Sequence, residues 1–549
     1  MFQLPIARTH VRSIASALVA CTVCLPLSAA PQQWLDQFGT PGSDSLDAVE
    51  PAGAGAVFLI GWTGGALAGP SVGGSDVFVQ KRDVDGNLLW QRQYGSSGGE
   101  TNMSAAGDGA GGLFIAGSTS GDFGGPPAGV TDAFLLHLDG AGDVLWVSKV
   151  ATPVMEGPAF VISDGNGGAI LGGSMLGESG APDDSDAWIA RFDASGALLW
   201  SSQFGTAAAD GLSGAALDGV GGLFLGGSTD GDLGGANAGN QDAFYGHMDL
   251  SGTAPMIVQF GTPDYDGVTD VLSDGAGGAY LAGQTNGPLF GSNPWPMDVF
   301  LIHVDANMAI TWSTQFTADD NVSQPSLALD GSGGLFVAGA WSGSMTSSAS
   351  GLFDPMVARV DSAGTFVDML TLPGVGIDNA LDVVADGAGG LIVVGYTEYG
   401  LFEFQPGNNL QAWVGRFGPC DFDTPTTYCV AAPNSTGVGA SISNSGSRYV
   451  DNNDFTLAVD DCPSGQIGIF LMASNQASVP FGNGTLCVGG SVSRLLPAQV
   501  TSAAGAASLQ LDFGDPNSPA SMITPASTWN FQFCYRDPAA GGSGFNLSN

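Results

Sequence analysis

From residue 34 to residue 418 the chain is written in short runs in which apolar and polar residues alternate, each run stopped by glycine. Asp132-Ala-Phe-Leu-Leu-His-Leu-Asp139 is the clearest of them, and its equivalents open at Asp76, Asp186, Asp242, Asp298, Asp354 and Gln411. A period of two is the pattern of a half-buried β-strand. A shorter apolar run ending in glycine precedes each of these, such as Leu113 to Gly117 or Leu335 to Gly339, and is itself preceded by an Asp-Gly-x-Gly-Gly turn. Glycine tolerates the positive φ that such a turn requires, so each turn predicts a hairpin.

The runs recur in register. A tryptophan-led segment returns at Trp34, Trp90, Trp146, Trp200, Met256 and Trp312, with a degenerate copy at Asp368, in steps of 56, 56, 54, 56, 56 and 56 residues. Several copies continue to Gln-Phe-Gly or its equivalent, as at Gly39, Gly95, Gly205 and Gly261. The turn aspartates are Asp108, Asp164, Asp218, Asp274, Asp330 and Asp386; the first copy has Ala52-Gly-Ala-Gly in that place. Each period therefore holds four strands, and a unit of four strands cannot cover both of its own faces. Side-by-side repetition around an axis supplies the cover. The fold class predicted is all-β: a seven-bladed β-propeller over 31–418, followed by a small β-sandwich over 419–549. The last copy stops after its third strand and the first begins with a surplus outer strand. Pairing of 34–39 with 412–417 would close the ring and leave no open edge.

The Asp-Gly-x-Gly-Gly turn, the Asp-Ala-Phe strand and the Gln-Phe-Gly segment resemble the bacterial seven-bladed propeller repeats known as SBBP repeats, over about 34 to 418. The resemblance implies the fold and an exported or surface protein. It carries no catalytic residues.

Two sets of charged residues follow the period. Five residues into each third strand stands Lys81, His137, Arg191, His247, His303, Arg359 or Arg416. Asp83, Asp139, Asp193, Asp249, Asp305 or Asp361 comes two residues later, on the same strand face, and predicts a structural cation–carboxylate lock. A metal site of the three histidines is disfavoured because they fall in different blades. Ten residues after each anchor stand Asp44, Glu100, Glu156, Asp210, Asp266 and Asp378, with Val322 in the sixth copy. Six carboxylates around a channel mouth suit Ca2+, which takes oxygen ligands; the competing reading is that each caps its own turn. The loops between second and third strands share that mouth and vary most. Phe290, Trp295, Tyr399 and Phe402 there suit a sugar or peptide, or pack between loops.

The first thirty residues have the layout of a secretory signal peptide. Arg8 and Arg12 precede the apolar stretch from Ile14 to Leu27, and Ser28-Ala29-Ala30 follows. Leu18-Val-Ala-Cys21 offers a lipoprotein alternative anchored at Cys21. The expected location is secreted or cell-surface, with no transmembrane segment. Asp and Glu number 52 against 12 Lys and Arg, a net charge of −40 that makes nucleic acid an unsuitable partner. Past the signal no cysteine precedes Cys420; Cys429, Cys462, Cys487 and Cys534 follow it, an odd set that leaves pairing open. Phe481 to Gly490 and Thr528 to Pro538 resemble a C-terminal module of large exported bacterial proteins, in which a further strand and cysteine usually follow; a truncated end at Asn549 would account for the odd cysteine.

These features favour an exported, monomeric, non-catalytic binding or scaffold protein with a protein or glycan ligand and no cofactor beyond possible Ca2+. One alternative is a propeller enzyme. Asp193-x-x-Gly196-x-x-x-Trp200 is similar to the docking motif of quinoproteins, and two acids of the ring would serve a glycosidase. The other alternative is a structural spacer of an envelope or matrix.

Overall fold

The computed structural model describes residues 21–22, 32–150, 152–176, 185–291, 297–316, 325–342, 353–372, 377–387, 389–398, 409–417, 429–445, 455–516, 518–523 and 528–548. The chain forms two compact units, Gln32–Pro419 and a second made of Met1–Pro31 with Cys420–Asn549.

Gln32–Pro419 contains seven four-stranded antiparallel sheets. The first is Asp44–Pro51, Val57–Thr63, Asp76–Arg82 and Leu88–Tyr94. The second runs Glu100–Gly107, Leu113–Thr119, Asp132–Leu138 and Val144–Val150. The third, fourth, fifth and sixth open with the inner strands Glu156–Ser163, Asp210–Leu217, Asp266–Ser273 and Ser326–Leu329 and repeat the order. The seventh is Asp378–Ala385, Leu391–Thr397 and Gln411–Phe417, completed by Gln32–Phe38. Trp34 faces Arg416, Gln37 faces Trp413 and Phe38 faces Ala412 across that last pairing. Each inner strand touches the next, and Asp378–Ala385 touches Asp44–Pro51, so the inner strands form a closed circle. This is a β-propeller.

Burial explains the strands. The second and third strands of the second sheet are buried along their whole length, whereas the outer strand opens with exposed Val144 and Leu145. The core lies between sheets. Phe58, Ile60 and Val79 of the first pack with Leu113, Ile115 and Phe134 of the second, and Leu46, Leu59 and Phe78 pack with Ile392, Val394 and Val414 of the seventh. Burying each such side chain contributes roughly 1.5–3 kcal/mol. In the first turn, which lacks aspartate, Ala54 itself takes a left-handed φ of 51°.

The second unit carries a five-stranded sheet in which Ile467–Ala473 lies between Ser493–Val500 and Thr528–Arg536. Phe545–Leu547 and the two residues Cys21–Thr22 also pair with Thr528–Arg536. Ser441–Ser445, Thr456–Asp460 and Ala507–Gln510 form a three-stranded sheet, and Asn475–Phe481 pairs with Gly484–Gly489. Leu457 and Val459 share a core with Phe470, Met472 and Phe533 from the larger sheet. Cys429 and Cys487 are disulfide-bonded; Cys462 and Cys534 are thiols, and Cys420 lies outside the described residues. Among the described residues no helix is long and apolar enough to cross a membrane.

Candidate functional site

The basic residue of each third strand does not pair with the aspartate two residues later. His137 Nε2 is 3.1 Å from Asp108 Oδ2, His247 Nε2 2.9 Å from Asp218 and His303 Nε2 3.0 Å from Asp274. Arg191, Arg359 and Arg416 meet Asp164, Asp330 and Asp386 at 2.8, 2.7 and 2.8 Å. The partner is thus the aspartate of the Asp-Gly turn in the same sheet, which corrects the expected lock. That turn aspartate also accepts its own turn's N–H groups, as Asp108 does from Ala110 and Gly112. Burial raises the Asp108 carboxyl, but His137 and these N–H groups outweigh it and hold it below the ordinary range. Lys81, whose copy has no turn aspartate, bonds to Gly140 O instead and sits over the Phe58 ring. Arg191 reaches Leu250 O, and Arg416 reaches Val84 O, so each braces the following sheet as well. Asp83, Asp139, Asp193, Asp305 and Asp361 sit just past their strands and accept N–H groups two and four residues on; Asp249 accepts from Ser251.

The six acids read as a calcium ring do not converge on a mouth. All are buried, and five turn back onto their own loops. Glu100 accepts from Ser96 N at 3.0 Å, Ser96 Oγ at 2.6 Å and Thr119 Oγ1 at 2.7 Å. Asp44, Glu156, Asp210 and Asp266 accept from Thr40, Thr152, Thr206 and Thr262, each four residues earlier. Their backbones bind the preceding sheet: Asp44 N donates to Leu410 O, Glu100 N to Ser75 O, Glu156 N to Thr131 O, Asp266 N to Gln241 O and Asp378 N to Phe353 O. Each acid from the second sheet on, the sixth excepted, therefore lies against the aspartate that opens the third strand before it. Burial first, and then Asp132, pushes the Glu156 carboxyl up to about 7. Burial and Asp242 likewise raise Asp266, against hydrogen bonds that lower it.

The Gln-Phe-Gly motif serves this end of the sheet. Gln93, Gln203, Gln259 and Gln315 donate to Asp76, Asp186, Asp242 and Asp298. Through Oε1, Gln93, Gln259 and Gln315 also hold the neighbouring loop by its N–H groups. The glycine leaves room for the carboxylate: a Cβ on Gly95 would lie 2.0 Å from Asp76 Oδ1, one on Gly205 2.1 Å from Asp186 Oδ1, and one on Gly261 2.3 Å from Asp242 Oδ1.

Phe290 is packed against Phe260 and Phe300. Trp295, Tyr399 and Phe402 lie outside the described residues. Trp200 of the quinoprotein-like motif, with Trp90 and Trp146 of its looser copies, packs against the next sheet, as do Trp34 and Trp312. Trp34, Trp90, Trp146, Trp200 and Trp312 lie against Gly86, Gly142, Gly196, Gly252 and Gly364, where a Cβ would approach the rings to 2.5–2.8 Å. Trp34, Trp146 and Trp200 donate to Val84, Ala194 and Leu250 carbonyls there. Among the described residues no group of three or more His, Cys, Asp or Glu is placed to hold a metal.

A further set of acids, not singled out from the sequence, sits half-buried on the inner strands. Asp47 accepts from Met103 N, Asp270 from Leu327 N and Asp382 from Val49 N, each in the next sheet. A β-bulge at or beside the acid, between Leu46 and Ala48, Val268 and Asp270, or Ala380 and Asp382, sets these strands. Burial pushes Asp47 and Asp270 up to about 6 and Asp382 to about 7, and burial with Asp382 pushes Glu50 to about 8. Asp270 and Asp382 hold the same position of the period, where the first copy has Ala48, and Asp47 stands one residue earlier, so no periodic signal marked them.

No family model matches the chain, and no curated protein matches it. Solved structures similar to it are propellers. YCF48 bound to D1 peptide is 13% identical, covering 71% of this chain and 97% of its own, with a TM-score of 0.38. The β-propeller domain of the trilobed protease from Pyrococcus furiosus is 8% identical over 71% and 98%, with a TM-score of 0.39. A puromycin hydrolase mutant complexed with PGG is 12% identical over 78% and 62%, with a TM-score of 0.41. The likeness is one of fold alone.

Proposed function

We propose that this chain is an exported, SBBP-type seven-bladed propeller protein with a C-terminal β-sandwich module, and that it works as a non-catalytic binding or scaffold protein. Its ligand, a protein or a glycan, is taken at the mouth formed by the loops between second and third strands. The observation that carries this reading is the use made of the repeated reactive side chains. His137, His247 and His303 each brace their own Asp-Gly turn, and the recurrent acids hold their own loops and the adjoining sheet. Side chains committed in this way build a rigid frame. The loops that differ from copy to copy are left to set specificity.

Glycan and peptide arrays test the reading with the full chain and a variant in which loop 287–296 is replaced by the equivalent loop of the first copy, 65–74. Binding by the full chain and its loss in the variant is the expected result. Turnover of an array glycan by the full chain would contradict it.

A further inference from the structure

Acids lie beside acids at five of the sheet junctions, always twenty-four residues apart, and all but the half-buried Asp186 are buried: Asp76 with Glu100, Asp132 with Glu156, Asp186 with Asp210, Asp242 with Asp266, and Asp354 with Asp378. At Gly205 the spacing is plain, since one Cβ position lies 2.1 Å from Asp186 Oδ1 and 2.9 Å from Asp210 Oδ2. Two anions held side by side away from bulk solvent repel strongly. Four junctions also hold a buried carboxylate oxygen with no hydrogen-bond donor: Asp76 Oδ1, Glu156 Oε2, Asp210 Oδ1 and Asp242 Oδ1. Asp76, Glu156 and Asp242 are at most 1% exposed and Asp210 2%.

One junction shows what the arrangement accepts. In the second copy the clamp position, held by glutamine in five of the other sheets, is Lys149, whose ammonium lies 2.8 Å from Asp132 Oδ2 with both side chains buried. That copy supplies its acid pair with a cation of its own. The pairs clamped by Gln93, Gln203 and Gln259 also set two carboxyl groups side by side, Asp with Glu in the first and Asp with Asp in the other two, and among the described residues have no such ammonium.

We propose that the acid pairs Asp76–Glu100, Asp186–Asp210 and Asp242–Asp266 each bind a hard divalent cation of the Ca2+ type between adjoining sheets. Two carboxylates are the charged ligands, and hydroxyl, backbone carbonyl and water oxygens complete the shell, so the sites are of the weak extracellular class, with Kd on the order of 10⁻⁴–10⁻³ M. The cations cross-link neighbouring sheets and stiffen the circle without reaching the ligand mouth.

Equilibrium dialysis of the full chain against millimolar Ca2+, with thermal melting in Ca2+ and in chelator, tests this. The expected result is about three Ca2+ per chain and a melting temperature higher in Ca2+ than in chelator. Asp242→Asn should bind one fewer. Lys149→Gln should bind one more, because it empties the ammonium from a pair that is otherwise alike. Absence of bound Ca2+ together with equal melting in both buffers overturns the proposal. So does a Lys149→Gln stoichiometry equal to that of the unsubstituted chain, a readout that does not depend on Asp242→Asn folding.

Discussion

The two ends of each sheet treat buried charge in opposite ways. At the end of the Asp-Gly turns, acid meets base: Asp330 with Arg359 at 2.7 Å, Asp164 with Arg191 at 2.8 Å. At the other end acid meets acid, relieved by backbone N–H groups, threonine hydroxyls and glutamine amides, and in one copy by Lys149. The first end is charge-balanced within its own sheet. The second is unbalanced and lies between sheets, so pH and added cations should act on the junctions between copies before they act on the hairpins.

The largest effect should come from opening the balanced end. Arg359→Ala leaves the Asp330 carboxylate buried without its partner, at a cost of roughly 3–5 kcal/mol in denaturant unfolding; a loss no larger than that of an exposed pair would erase the distinction between the ends. Gly261→Ala attacks the acidic end through sterics. Its methyl would lie 2.3 Å from Asp242 Oδ1, and about 1–3 kcal/mol should be lost, with Gly53→Ala, where nothing lies within 4 Å but φ is 77°, as a control for backbone strain alone. His247→Gln keeps a donor near Asp218 and should cost only about 1 kcal/mol, because His247 is a third exposed. Asp83→Ala removes only an exposed turn contact and should leave the melting temperature nearly unchanged.

The period was legible because most sheets share the same turn, the same clamp and the same glycine, so Gln93, Gly95 and Asp108 have counterparts at fixed distances in the majority of copies. The partner of each basic residue was not. His137 is followed at two residues by Asp139, yet the strand ends at Leu138 and Asp139 spends its carboxylate on the turn. The hairpin register instead sets His137 opposite Phe114, beside the turn that holds Asp108. The acids of the supposed calcium ring were each visible, but as a ring. Their neighbours, such as Asp132 for Glu156, belong to the preceding copy and emerge only when sheets are packed. Asp47, Asp270 and Asp382 answer to bulges, and a bulge leaves no mark in a period.

Glu156→Gln tests the acid-against-acid end most directly, by thermal melting in chelator from about pH 5 to about pH 8. A carboxyl whose folded pKa stands near 7, above its ordinary value of 4.5, stabilises fully below the ordinary value and loses that contribution as pH rises through 7. The account predicts that the unsubstituted chain falls in melting temperature across this range more steeply than Glu156→Gln, and that the variant melts higher at the alkaline end. A variant that melts lower at every pH, with a parallel slope, would contradict it.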